Sequence, residues 1–124
     1  MEQKVKELPI EEKGEWKNIS LKKKIDGTTG ELVKDGLGHN EYVIVTKNNY
    51  TEGREVTTQY GVSYSCGVEY NGIDVSFWLN EKEHLAYAAC GGLADKIKIL
   101  NLIETFVYKG IEKKRNVLHF EVVA

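Results

Sequence analysis

Residues 62–80 read VSYSCGVEYNGIDVSFWLN, two alternating runs on either side of Asn71-Gly72. Asn-Gly between such runs predicts a β-hairpin, because a type I′ turn needs positive φ at both central residues. The turn sets the register: Tyr70 opposite Ile73, Val68 opposite Val75, Cys66 opposite Phe77, Tyr64 opposite Leu79. Side chains alternate along a strand, so these eight share one face, the core face. The other face pairs Glu69 with Asp74, Gly67 with Ser76, Ser65 with Trp78 and Ser63 with Asn80. It is small and polar apart from one indole.

Working outward, the chain of 124 residues is long enough for one domain with a modest core. Five of its 19 acids but three of its 17 bases lie in residues 1–15, so the remainder carries 14 of each. Near-neutrality predicts that any basic patch is local. Two cysteines, Cys66 and Cys90, make neither a disulfide framework nor a zinc site by themselves. No apolar run approaches the roughly 20 residues of a membrane span. The acidic N-terminus does not read as a signal peptide, so the protein is expected to be intracellular and cytoplasmic.

Residues 1–14 read as a flexible or loosely packed arm, and residues 15–124 as a single domain. Trp16 to Ile25 reads as a strand, and residues 26–40, with four glycines, as turns and loop carrying a solvated His39, with a short strand at Glu31-Leu32-Val33 between turns. Tyr42–Thr46 is a strand that continues, with a bulge, towards Val56. After the hairpin, Asn80 with Glu83 three residues on predicts a capped helix over 81–90, its apolar edge being Leu85, Ala88 and Ala89. Lys96 begins a strand running to Tyr108, long enough to predict a bend or bulge. Residues 109–116 read as a basic turn, and Val117–Val123 as the last strand, with Leu118, Phe120 and Val122 inward.

From Glu41 the order is three strands, a helix and two strands. It predicts a mainly β domain: a five-stranded OB-fold-like barrel with one short helix between strands three and four, plus an N-terminal extension. Val75-Ser76-Phe77-Trp78-Leu79, the helix, Gly91-Gly92 and Ala94-Asp95-Lys96-Ile97-Lys98-Ile99 resemble the second half of OB-fold single-stranded DNA-binding proteins. The small archaeal, phage and viral type is the nearest. Ala94 stands where that family commonly has a glycine. The resemblance implies sequence-tolerant binding of single-stranded DNA, or of RNA, in replication, recombination or repair.

Under that reading Trp78 is the base-stacking residue beside Ser65, and Tyr60 and Tyr50 are stacking candidates in the loop between strands one and two. Lys113, Lys114 and Arg115, in the loop between strands four and five, and Lys22, Lys23 and Lys24 are expected to meet phosphates. Arg54, Lys96 and Lys98 point outward and join them. No cofactor, metal or membrane is implied, and self-association stays open. The residues present no catalytic constellation: His84 beside Glu81 and Glu83 has no nucleophile or H-E-x-x-H spacing, so a hydrolase or nuclease is the least favoured class. The alternative is a protein-interaction module, a viral or plasmid inhibitor or adaptor on the same barrel, which the near-neutral charge suits.

Overall fold

In a computed structural model describing residues 2–48, 53–91 and 95–123, the Asn71-Gly72 turn closes with φ of 52° and 79°. The strands it joins, β8 (Gly61–Tyr70) and β9 (Ile73–Asn80), pair from Tyr70↔Ile73 to Ser63↔Asn80. This is the register that the alternation predicts. Phe77 is 1% exposed and Trp78 54%.

The described residues form eleven strands and one helix, so the mainly β class is found. The others in chain order are β1 (Lys4–Val5), β2 (Glu11–Lys13), β3 (Trp16–Asn18), β4 (Lys24–Ile25), β5 (Leu32–Lys34), β6 (Glu41–Lys47), β7 (Arg54–Thr58), α1 (Glu81–Gly91), β10 (Lys96–Tyr108) and β11 (Ile111–Val123). The main path of the large sheet is β11-β10-β6-β8-β9-β3-β2, with β1 on β6 and β7 on β8; β4 and β5 pair apart.

The expected five-stranded barrel is not formed: the sheet stays open. Closure would need β11 to reach β9, but the second edge of β9 is taken by β3 through Asn18↔Ser76 and the Ile19 N–H to Ser76 O bond at 3.0 Å. Helix α1 packs on both β9 and β11 and fills the gap with Tyr87, which meets Phe77 and Phe120 edge-on, each at 5.6 Å. Val43, Val45, Cys66, Val68, Val75, Phe77, Leu79, Ile97 and Ile99 make the core with Leu8, Ile19, Leu21 and Leu37 from the first 40 residues.

Several local expectations need correction. Trp16 to Ile25 is not one strand; it breaks into β3, a single bridge at Lys22↔Leu37, and β4. The bridge is close because Gly36 lies against it; a Cβ there would come within 2.4 Å of the Lys22 carbonyl carbon. β6 and β7 do follow each other along one edge of β8, but with six residues opposite two, a wider break than a bulge. β10 runs 13 residues without a register shift against β11. The basic stretch is a two-residue turn, Lys109-Gly110 at φ 51° and 77°, which leaves Lys113, Lys114 and Arg115 on strand β11.

Helix α1 starts with the expected reciprocal cap: Glu83 N–H donates to Asn80 Oδ1 at 2.8 Å and Asn80 N–H to Glu83 Oε1 at 3.0 Å. Its expected apolar edge faces outward, with Leu85 exposed. The inward stripe is Glu83, His84, Tyr87 and Cys90. Nor is His39 merely a solvated loop residue; its Nδ1 accepts the Ile103 N–H at 2.9 Å. Val122, expected inward, is exposed.

Candidate nucleic-acid interface

Residues directly opposite in an antiparallel pair share a face. Trp78 is opposite Ser65 on β8, and Ser65 is opposite Arg54 on β7. Arg54, Ser65 and Trp78 therefore form one row across three strands, on the face averted from the core. Neighbouring strands are about 4.8 Å apart, so arginine and indole are rooted roughly 10 Å from each other. The row beside it is Val56, Ser63 and Asn80, small enough to leave the indole open from that side.

Trp78 also borders a cleft of about 190 Å³ shared with Glu11, Asn18, Ser20, Lys22 and Lys34. Lys22 is held there by Glu83, 2.8 Å away. Lys34 was not legible as a site residue: it ends a short strand in a glycine-rich stretch, placed near Trp78 by the Lys22↔Leu37 bridge and the Lys24↔Lys34 pairing. The lysine triplet does not act as one patch. Lys23 pairs with Glu41 at 3.8 Å, and Lys24 is exposed on β4.

Lys96 and Lys98 lie on the same averted face, since Ile97 and Ile99 point into the core. Lys96 is opposite Thr46, which is opposite Glu69, which is opposite Asp74. The two acids of the hairpin tip thus stand between Lys96 and the Trp78 row. Lys98 is engaged, 4.6 Å over the Tyr42 ring, 3.8 Å from Glu121, and hydrogen-bonded to Gln3 Oε1.

Lys113 and Arg115 continue that face along β11. Arg115 lies 5.2 Å over the Phe106 ring and 3.5 Å from Glu104, and Lys113 lies 5.3 Å over Tyr108. Lys114 points to the opposite face. Along the sheet, β10, β6 and β8 separate this cluster from β9, so the structure does not bring it to Trp78. Tyr60 is 90% exposed at the β7–β8 turn, roughly 17 Å along β8 from Ser65. Tyr50 lies outside the described residues.

His84 lies flat on Tyr64, ring centroids 3.9 Å apart, and burial, then Glu55 and Glu81, push the Tyr64 hydroxyl above its usual pKa. Beneath them, burial pushes the Cys66 thiol up to about 11, which keeps it protonated and unreactive. Burial also raises Cys90, whose thiol donates to Phe120 O at 3.2 Å. Among the described residues no group of three His, Cys, Asp or Glu side chains is placed to hold a metal ion. None of their helices is long and apolar enough to cross a membrane. No protein-family model, curated protein or solved structure matches the chain.

Proposed function

We propose that the protein binds single-stranded DNA without sequence preference, on the core-averted face of β7, β8 and β9. The reading rests on one observation: the Trp78 indole is 54% exposed beside Ser65, with Arg54 two strands away in the same row. Burying apolar surface is the default for an indole, so an open one on a flat polar sheet favours a flat ligand. Bases stack on Trp78, Arg54 meets a neighbouring phosphate, and Ser63 and Ser65 give the bases room. Lys22 and Lys34 serve the same strand at the cleft beyond Trp78. The acids Glu69 and Asp74 repel phosphate, so the strand passes the Asn80 end of the hairpin rather than its tip.

Titration with a labelled oligothymidine at two salt concentrations tests this. Stacking on an aromatic is worth about 1–3 kcal/mol per base, so Trp78→Ala is expected to weaken binding roughly tenfold or more. Oligonucleotide should quench tryptophan fluorescence in the wild type, with only a residue from Trp16 left in the variant. Unchanged affinity in a folded Trp78→Ala protein would remove the reading's support. One observation favours a protein partner instead: Ile25 and Leu32, paired across β4 and β5, are both exposed. Failure to bind any oligonucleotide would leave that reading.

A further inference from the structure

β6 accompanies β10 only as far as Asn101. Beyond it β10 and β11 run on as a two-stranded ribbon of seven pairs, from Leu102↔Val117 to Tyr108↔Ile111. A bare two-stranded ribbon is marginal in water. This one exposes Ile103, Val107, Tyr108 and Ile111.

Its two edges are not alike. Charged side chains, lysine above all, are how natural proteins guard a free edge. The β11 strand carries Lys113, Lys114 and Arg115. The β10 strand reads LIETFVY over residues 102–108, with Glu104 its only charge and neither proline nor glycine. Asn101 C=O accepts from Asn40 N–H, and Ile103 N–H donates to His39, both on the side away from β11. Backbone groups of alternate residues point the same way. Thr105 and Val107 therefore present their N–H and C=O groups outward, and among the described residues no strand pairs with them.

We propose that this edge is an interface for a second copy of the chain, β10 pairing antiparallel with β10 about a two-fold axis at Phe106. That register uses what is free. Thr105 of each copy exchanges both backbone hydrogen bonds with Val107 of the other, and Ile103 stays with His39. Phe106 meets its own counterpart. Glu104 comes opposite Tyr108 of the other copy, over whose ring Lys109 and Lys113 stand at 5.4 and 5.3 Å, so charges of opposite sign meet on both sides of the axis. Pairing through β11 would instead bring the Lys113–Arg115 charges of two copies together. An edge-to-edge contact this short is at the small end of interfaces, so the dimer is concentration-dependent. The proposal is independent of nucleic-acid binding.

Sedimentation of the full chain over a hundredfold concentration range is expected to show a monomer–dimer equilibrium. Thr105→Pro deletes an outward N–H without touching the β11 ladder, and should weaken dimerisation at least tenfold. Val107→Lys places a guard charge on the same edge and should do likewise, with circular dichroism and the thermal midpoint as folding controls. Position 106 faces itself at a non-hydrogen-bonded site, where Cα atoms are about 4.5 Å apart, within disulfide reach. Phe106→Cys should therefore oxidise to a covalent dimer, and Thr105→Cys, opposite Val107, should not. A monomer throughout the range, a dimer indifferent to both edge variants, equal cross-linking of the two cysteine variants, or association only on adding oligonucleotide would each overturn the proposal.

Discussion

At the scale of single residues, Phe77 and Trp78 are sequence neighbours with opposite fates, because one strand step turns a side chain to the other face. Phe77 is enclosed by the core and Tyr87, while Trp78 touches the cleft and solvent. Phe77→Ala is expected to cost roughly 3–5 kcal/mol of stability. Trp78→Ala should cost much less, and chemical denaturation of both variants measures the contrast. Cys66, opposite Phe77, gives a pH prediction. Its thiol is raised from 9.0 to about 11, so the folded state keeps a proton that the unfolded chain releases. The stability this group supplies is complete below pH 9 and is lost as pH rises from 9 to 11, by roughly 2–3 kcal/mol at 1.36 kcal/mol per pKa unit. Alkaline unfolding of Cys66→Ala should lack that component. An equal alkaline slope in both proteins would mean that the thiol ionises without resistance.

At the scale of elements, the hairpin and the helix were legible and the ribbon was not. Asn71-Gly72 and the Asn80–Glu83 cap are local signals, carried by the side chains that make the structure. Lys109-Gly110 adopts the same positive-φ turn, but a lysine at the first position does not announce it, and four cations among residues 109–115 read as one long basic turn. The pairs that Lys109-Gly110 closes, Tyr108 with Ile111 and Phe106 with Lys113, show no apolar alternation on the β11 side, where residues 112–116 are all polar. Likewise Tyr87, which α1 buries, is flanked by alanines that drew the apolar edge to the wrong side. The ribbon's placement changes the electrostatic expectation. Residues 102–117 hold four bases and two acids, so the rest of the chain carries a net −4 against the ribbon's +2. Lys113 and Arg115 share the averted face with Trp78's row and Lys114 does not. If the bound strand reaches the ribbon, reversing Lys113 and Arg115 to glutamate should lower the log–log salt slope of binding by about 0.7 for each phosphate that is no longer neutralised. Lys114→Glu should leave it near the wild-type value. Equal slopes in all three proteins would confine the bound strand to the Trp78 row.

At the scale of the whole molecule, the element order from Glu41 onward was readable, but the closure it suggested was not decided by those residues. It was decided by the first 40, whose apolar residues are sparse and separated by glycines and charges, so no periodicity marked them as core. Leu8, Ile19, Leu21 and Leu37 are nevertheless buried, and β3 seals the edge of β9 that a closing strand would need. The N-terminal segment is tied to the sheet at two buried polar points. Asn101 Nδ2 donates to Leu37 O at 2.8 Å and to Asn116 Oδ1 at 2.9 Å. The Leu8 N–H donates to the Tyr70 hydroxyl at 2.9 Å, and that hydroxyl donates to Lys6 O at 3.4 Å. Tyr70→Phe keeps the ring in the core and removes only the oxygen, which leaves the Leu8 N–H buried without an acceptor. The expected cost is about 1–3 kcal/mol, the penalty for an unsatisfied buried donor. Because β8 and β9 are held by their own eight pairs, the destabilisation should not spread evenly. Amide exchange is expected to quicken at Leu8 and across β1, while Val68, Val75 and Phe77 change only by the global amount. Uniform acceleration through all of these amides would show that the segment and the sheet unfold as one unit, and that the open sheet has no separate clamp.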